Sequence, residues 1–328
     1  IESIEENEME NSYDCQVKPL VYNTKVDDLI KEKIGQSSNK LKKHLYSRNL
    51  IVFGAPGTGK SNALKRLKED FIGQNKDNFE RVTFHPEYNY ANFVGTYKPV
   101  AKKEITKNAN GNKSEQNVIT YEYVAGPFLR LLVKALKNAR DEEENPKPYI
   151  LIVEEINRAN PAAVFGDVFQ LLDRDENKVS EYEISTSNEM AQYLADELGG
   201  KKEHYCSLKI PNNMFIWATM NSADQGVMPM DTAFKRRWEY EYLDTDEGEK
   251  VLIEKNINRE FKLGGKIVTW NAFRRAVNNL LIDEDVNEDK LMGPFFVSPG
   301  ILKEKDDEVF LNALTSKVIM YLFEDAAG

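Results

Sequence analysis

The residues with the clearest chemical potential lie in one glycine-rich segment. Gly54-Ala-Pro-Gly-Thr-Gly-Lys-Ser61 has the spacing G-x-x-x-x-G-K-[ST] of a phosphate-binding loop, and it follows the apolar run Leu50–Phe53. Glycines let the backbone bend so that N–H groups turn inward around an anion, and the helical pattern behind them adds positive partial charge. The expected nucleotide contacts are Gly54, Pro56, Gly57, Thr58, Gly59, Lys60, Ser61 and Asn62. The segment predicts a nucleoside triphosphate site; the alternative, a glycine-rich turn, leaves the Lys-Ser pair unexplained.

Two carboxylates supply the second part of the predicted chemistry. Glu154 and Glu155 follow the apolar run Tyr149–Val153, and the carboxyl ends of parallel strands are where open α/β sheets bind ligands. We expect Glu154 and the Ser61 hydroxyl to hold Mg²⁺, partly through water, and Lys60 to reach the β- and γ-phosphates. Glu155 is then placed to orient and deprotonate the attacking water. The alternative, a charged strand end, fits poorly after five apolar residues.

Further polar residues follow the later apolar runs. Asn221 ends the fourth run and is predicted to hold the attacking water or to sense the γ-phosphate. Asp224 either joins this network or caps the next turn. Arg236 and Arg237 precede the fifth run and are candidates to reach the γ-phosphate of a neighbouring subunit, although a Lys-Arg-Arg segment is commonly solvated surface.

The apolar runs predict how these residues are positioned. The predicted strands are Leu50–Phe53, Arg81–His85, Tyr149–Val153, Met214–Met220 and Trp238–Leu243. Strands that alternate with helical patterns indicate a parallel α/β sheet. From about residue 247 the pattern is helical, over 247–261, 269–283 and 306–323, which predicts a second, smaller domain. We therefore expect a lead-in with helices at 1–46, an α/β nucleotide-binding core at 47–246 and a helical domain at 247–328.

Composition limits the class of protein. The 328 residues are 41% hydrophobic and 30% charged, and no apolar run is long enough for a membrane helix. Cys15 and Cys206 are lone thiols and the three histidines are scattered, so we expect a cytoplasmic protein without a zinc site. A net charge of −10 argues against a surface that clamps nucleic acid all round, but not against a local basic patch. Because the chain starts at Ile1, we expect further sequence before it.

A polar segment interrupts the core pattern at residues 101–117. Its Asn110-Gly111 pair favours an exposed hairpin or loop. The lysines of this segment are Lys102, Lys103, Lys107 and Lys113. They would suit nucleic acid or a substrate in a central pore, while a solvated loop is the favoured alternative.

Several longer segments resemble the McrB family, the AAA+ nucleotidases of methylation-dependent restriction systems. The segments are Glu154-Glu-Ile-Asn-Arg-Ala-Asn160, Val164–Leu172, Ile210–Asp224, Phe84–Gly95 and Gly126–Leu129. The resemblance covers most of the chain from about residue 45. It departs from the family at Gln225, where the family signature has arginine, and Leu291–Phe296 has no arginine nearby, so no lid sensor is assigned.

The resemblance implies an AAA+ P-loop core with a C-terminal helical lid, in a hexameric ring with nucleotide sites between subunits. It also implies Mg²⁺, GTP rather than ATP, and an McrC-like partner subunit that carries the nuclease. DNA would be engaged through the ring pore or an N-terminal domain. Carried over to this sequence, Lys60 and Ser61 bind nucleotide and Mg²⁺, Glu154 and Glu155 form the acidic pair, and Asn221 is the sensor. Arg158, Arg236 and Arg237 are candidates to act across the subunit boundary.

The sequence therefore predicts a GTP-hydrolysing ring motor that drives DNA translocation in a restriction or anti-phage system. One alternative is an ATP-hydrolysing remodeller of protein complexes, similar to the MoxR or midasin proteins. Another is a nucleotide-gated assembly module with little turnover, although Glu155 argues against it because a pure switch needs no water-activating acid. No motif reports the purine pocket, so GTP and ATP stay open.

Overall fold

The computed structural model of the chain describes residues 20–28, 30–31, 46–107, 113–142, 146–222 and 226–326. Most of the helical segments expected between residues 26 and 46 lie outside the described residues, as do the Asn110-Gly111 turn, Asp224 and Gln225. None of the described helices combines the length and the apolarity that a membrane crossing requires.

Strands and helices alternate through the first two thirds of the chain. The strands are β1 (Asn49–Gly54), β2 (Phe79–Thr83), β3 (Gly95–Lys107), β4 (Lys113–Ala125), β5 (Tyr149–Glu154), β6 (Ile184–Ser185), β7 (Ser207–Leu208), β8 (Met214–Asn221), β9 (Glu239–Tyr242), β10 (Glu260–Leu263) and β11 (Lys266–Thr269). The α-helices are α1 (Lys60–Ile72), α2 (Tyr90–Phe93), α3 (Pro127–Asp141), α4 (Pro161–Phe165), α5 (Asn188–Leu198), α6 (Thr232–Lys235), α7 (Glu249–Glu254), α8 (Trp270–Asp283), α9 (Pro299–Leu302) and α10 (Asp307–Ala313). Short 3₁₀ turns follow β5, α4 and α5, and π-helical turns extend α10.

Five of the strands form one parallel sheet in the order β2-β5-β8-β1-β9. All five predicted strands are present, and their ends differ from the prediction by at most two residues. The register pairs Gly54 with Asn221 and Thr83 with Glu154, so the carboxyl ends of β1, β2, β5 and β8 share one edge. The α/β fold class is confirmed, and this edge carries the predicted chemistry.

Alternating side chains of the central strands explain why the sheet is covered by helices on both faces. Along β5, Ile150 and Ile152 belong to the apolar cluster that α1 completes, whereas Leu151 and Val153 belong to the cluster that α3 completes. A strand that is apolar at every position buries both of its faces, as its period of two requires. The continuous run at β5 therefore fixes that strand at the centre of the sheet.

The polar segment forms a long antiparallel hairpin. β3 and β4 pair from Gly95 with Ala125 out to Lys107 with Lys113, so the predicted hairpin is confirmed but begins earlier than expected. Lys102 and Lys103 are exposed and form ion pairs across the hairpin with Glu122 and Glu115. The region 173–205 contains α5, which Ser187 caps through its hydroxyl.

The C-terminal part is mostly helical, but the expected helix over 247–261 is wrong. α7 ends at Glu254, and Asn256 follows in the left-handed region with φ 53°. The chain then forms the β10–β11 hairpin, whose turn places Gly264 and Gly265 at φ 57° and 78°. Positive φ at both central residues is the geometry of a type I′ turn, which two glycines adopt without strain. The Gly-Gly pair, rather than the apolar spacing, determines this segment.

Candidate nucleotide site

The loop after β1 has the backbone geometry of an anion-binding cradle. Gly57 and Gly59 adopt φ 76° and 95°, values that side chains rarely allow, and α1 begins directly afterwards at Lys60. The Thr58 hydroxyl donates to the Ala55 carbonyl oxygen at 2.9 Å and closes the loop on itself. No acidic residue occupies the first turn of α1, so the positive end of the helix is uncompensated for an anion.

Lys60 and Ser61 connect this loop to the strand edge. The Lys60 ammonium group donates to the carbonyl oxygens of Gly54 and Ala55 at 2.9 and 3.0 Å, and the residue is buried. The Ser61 hydroxyl donates to Glu154 Oε2 at 2.7 Å. A hydroxyl that donates to a carboxylate keeps its lone pairs for a cation, so this contact suits a shared metal.

Glu154 is the most heavily bonded carboxylate of the edge. It is buried, and besides Ser61 it accepts from the Thr219 hydroxyl at 2.7 Å and from the Arg81 guanidinium at 2.6 Å. A buried carboxylate with three donors, one of them cationic, is fixed in place. The glutamate therefore occupies a defined position at the end of β5.

Glu155 adopts a strained backbone conformation that turns it toward β8. Its φ of 55° and ψ of 50° lie in the left-handed region, which costs a non-glycine residue about 1–3 kcal/mol. Its N–H donates to the Thr219 hydroxyl oxygen at 3.0 Å. Both of its carboxylate oxygens accept from Asn221 Nδ2, at 3.0 and 2.9 Å. The structure therefore brings together the acidic pair and the strand-end amide that the sequence singled out.

The candidate arginines lie elsewhere. Arg158 is exposed on the 3₁₀ turn that follows Glu155. Arg237 has a side chain only 9% exposed and pairs with Asp173 at 2.6 Å, whereas the side chain of Arg236 is 63% exposed. Because the Arg237 carbonyl accepts from the Asn49 amide at the start of β1, both arginines lie at the opposite end of that strand from the phosphate loop.

The C-terminal part of the chain closes over the phosphate loop through its backbone. The N–H groups of Gly293 and Phe295 donate to the carbonyl oxygens of Pro56 and Gly57, each at 2.8 Å. Arg274, fully buried, donates to the neighbouring Met292 carbonyl at 2.9 Å. The loop carbonyls thus face this segment, while Asn62 and Phe295 line a cavity of about 260 Å³ beside the loop.

We expect Gly293→Ala to weaken nucleotide binding strongly. A Cβ at this position would lie 2.3 Å from both Gly57 C and Thr58 N, which are backbone atoms that cannot move aside cheaply. Loss of the two hydrogen bonds would cost about 2 kcal/mol and raise the nucleotide Kd roughly 30-fold. Isothermal titration calorimetry measures the effect. Gly300→Ala is the matched control, since a Cβ there meets nothing within 4 Å, and equal affinities of the two variants would contradict the expectation.

Comparison with known proteins agrees with this geometry. Residues 49–238 match the family model of the AAA domain, dynein-related subfamily. The chain belongs to this AAA family. It is 45% identical over 287 residues to the type II restriction enzyme BsuMI component YdiS of Bacillus subtilis strain 168, covering 85% of this chain and 79% of that protein. It is 28% identical over 212 residues to the type IV methyl-directed restriction enzyme EcoKMcrB subunit of Escherichia coli K12, covering 63% of this chain and 37% of that protein.

The AAA membership confirms the resemblance to McrB and identifies an NTP-hydrolysing enzyme. It also implies use of Mg²⁺, and the residues present fit that ion. Mg²⁺ is usually held by one or two carboxylates and by substrate phosphates rather than by a cage of protein ligands. Ser61 and Glu154 supply a hydroxyl and a fixed carboxylate, and the described residues contain no cluster of three or more acidic, histidine or cysteine ligands.

Three polar residues of this AAA site escaped the sequence analysis. Arg81 pairs with Glu154, Thr219 bridges the two glutamates, and Asn157 donates to the Asn221 carbonyl at 2.6 Å. Thr219 had a detectable signal, since it lies two positions before Asn221 and a strand of period two places both on one face. Arg81 and Asn157 had none, because their contacts depend on the order of the strands.

Proposed function

We propose that this AAA protein hydrolyses GTP in preference to ATP and is the motor subunit of a restriction system. The hydrogen bonds that hold Glu155 against Asn221 beside the phosphate loop carry the enzymatic part of this proposal. The restriction part is supported by the two relatives, both of which are components of restriction enzymes, and the B. subtilis protein matches over most of both chains.

The residues divide the reaction between them. The loop N–H groups and Lys60 bind the triphosphate, and Ser61 and Glu154 would hold Mg²⁺, which neutralises charge on the phosphate oxygens when bound. Glu155 accepts a proton from the attacking water as the water oxygen bonds to the γ-phosphorus and the bond from that phosphorus to the β-phosphate oxygen breaks, so that the nucleoside diphosphate leaves. Asn221 orients that carboxylate. Both Glu155 oxygens accept from the Asn221 amide, so this amide holds the carboxylate in place until water and nucleotide enter the site and compete for these hydrogen bonds.

We further infer that the chain works as a homo-oligomeric ring, with a hexamer as the expected state and sites between subunits. A separate McrC-like nuclease subunit and DNA translocation through the ring pore complete the proposal. The division into 1–46, 47–246 and a lid at 247–328 and the cytoplasmic location stay predictions. The separate apolar cluster around Leu252, Trp270 and Phe310 supports the proposed lid.

Base preference tests this proposal directly. We expect steady-state phosphate release with GTP to exceed that with ATP by at least about tenfold in kcat/KM, because a purine site built on hydrogen bonds rejects the wrong edge. Purified Lys60→Ala protein is the control for contaminating phosphatase, since it removes the group that binds the phosphates. A preference for ATP would favour the MoxR-like or midasin-like remodeller. Tight binding of both nucleotides without turnover, even with a nuclease partner added, would favour an assembly module.

A further inference from the structure

A second group of cationic side chains surrounds a cavity of about 460 Å³ near the start of β1, at the end of that strand away from the phosphate loop. Its volume falls within the range of small-ligand sites. Its cationic lining residues are Arg48, Arg174, Lys178, Arg236 and Arg237. Three carboxylate side chains, those of Asp27, Asp173 and Glu239, also line it. The lining therefore carries excess positive charge in a chain whose net charge is −10.

Arg174, like Lys178, is not paired with a carboxylate among the described residues. Its guanidinium donates only to neutral backbone carbonyls, including those of Ile210 at 3.1 Å and Met214 at 3.3 Å. Its Nε is buried without a hydrogen-bond partner, and among the described residues no carboxylate lies within ion-pair distance of it. Burial and the positive charge of Arg48 together lower the pKa of Arg174 to about 9, and the negative charge of Asp175 opposes this shift. A buried cation bonded only to neutral groups is stabilised by an anion.

Two neighbouring arginines of the cavity are paired with carboxylates, unlike Arg174. Arg48 pairs with Asp27 at 2.7 Å and Arg237 pairs with Asp173 at 2.6 Å. Even so, Arg237 Nε is buried without a hydrogen-bond partner. Lys178 is exposed at the edge of the cavity and has no ion pair among the described residues. The cavity thus offers arginine Nε donors without partners and the positive charge of an exposed lysine.

We propose that this cavity binds the phosphate group of a ligand, separately from the nucleotide site. Arginine forks match the oxygens of a phosphate, and several cations around one cavity favour an anion of more than one negative charge. The phosphate belongs either to a small free anion or to a nucleic-acid backbone. Arg236, to which we assign a role across the subunit boundary, lines one side and is left unchanged in the test.

The test first weakens phosphate binding at the nucleotide site by changing Lys60 of the phosphate loop. In the Lys60→Ala protein, isothermal titration with pyrophosphate is expected to show binding. Lys178→Gln, added to that background, is expected to weaken it about fivefold, and Arg174→Lys about tenfold, since lysine keeps the charge but loses the fork. Lys202→Gln, an exposed lysine remote from the cavity in the groove beside α5, is the matched control and is expected to bind unchanged.

A short fluorescent DNA duplex, measured by anisotropy with the same variants, distinguishes the two sources. Dependence on Lys178 for both probes assigns the cavity to a nucleic-acid backbone, and dependence for pyrophosphate alone assigns it to a free anion. The proposal is overturned if Lys178→Gln binds both probes as tightly as Lys202→Gln does, even where Arg174→Lys fails to fold. A Lys178→Gln effect on sedimentation without an effect on either probe would also overturn it, because the cavity would then be a contact between copies.

Discussion

Glu155→Gln is expected to lower steady-state phosphate release by at least about 1,000-fold while leaving nucleotide affinity within about threefold. Glutamine has the same shape and can still accept from Asn221, so the position of the side chain is retained. It cannot take the proton of the attacking water. The phosphate loop, Lys60 and Ser61, which we propose bind the nucleotide, lie on other elements and are unchanged. The variant therefore separates binding from hydrolysis.

Phosphate release and calorimetric titration on the same preparation measure the two quantities. Glu87→Gln, an exposed carboxylate outside the site, controls for the loss of one negative charge. Glu154→Gln is expected to differ from both variants, because it removes the partner of Arg81 and a metal-holding oxygen and so weakens nucleotide binding as well. Normal hydrolysis by Glu155→Gln would show that another group accepts the proton.

Arg236→Ala is expected to reduce turnover at least about 100-fold in the assembled protein, because an arginine from a neighbouring subunit stabilises charge on the transferred phosphoryl group. Its side chain is 63% exposed and its guanidinium lies 3.8 Å from the Asp173 carboxylate, so its loss leaves the fold of the single chain intact. Nucleotide affinity and melting temperature are expected to stay close to those of the unmodified protein.

Arg237→Ala should behave differently, since Arg237 is committed within its own chain. It donates to the Ala233 carbonyl at 2.7 Å, pairs with Asp173 and lies 4.0 Å above the Phe169 ring. Removing it leaves a largely buried carboxylate without its cation, which costs about 3 kcal/mol and lowers the melting temperature. A similar loss of activity in both variants, with equal stability, would contradict this division of roles.

Mixing the inactive variants tests whether Arg236 acts across the boundary. A site formed between an Arg236→Ala subunit and a Glu155→Gln subunit can contain an intact Glu155 and an intact Arg236. Mixed assemblies are therefore expected to recover measurable phosphate release that neither variant shows alone. Mixing without recovery, after exchange of subunits has been verified, would place Arg236 in its own subunit's site or outside the reaction.

The sequence predicted the sheet well because burial leaves a direct mark on it. The runs at β5 and β8 are apolar at nearly every position, and only a strand buried on both faces requires that pattern. The C-terminal hairpin was missed because the apolar residues around Phe261 and Ile267 also suit one face of a helix. The Gly264-Gly265 turn favours a hairpin over a helix. Its importance is clear only once the structure shows that α7 has ended before Asn256, which has a positive φ.

The site was predicted where its residues are contiguous in sequence, at the phosphate loop, the acidic pair and the end of β8. Arg81 was out of reach because its contact with Glu154 exists only when β2 and β5 are neighbours, which the chain order of the strands does not reveal. Likewise, the contact of Gly293 with Pro56 joins residues far apart in the chain through backbone atoms alone. Backbone contacts leave no side-chain pattern to detect.

That backbone contact has a mechanical consequence. The C-terminal segment is hydrogen-bonded to the carbonyl oxygens of the loop whose N–H groups would bind the phosphates. Because the contact is made by backbone atoms alone, no flexible side chain separates the two segments. The buried Arg274 donates to both the Met292 carbonyl and Asp246. It therefore connects this backbone contact rigidly to the junction with the core. In the ring that we propose, a force that a neighbouring subunit applied to this segment would displace the loop proposed to bind the triphosphate. By thermodynamic reciprocity, a force on this segment that weakens triphosphate binding is opposed to the same extent by triphosphate binding.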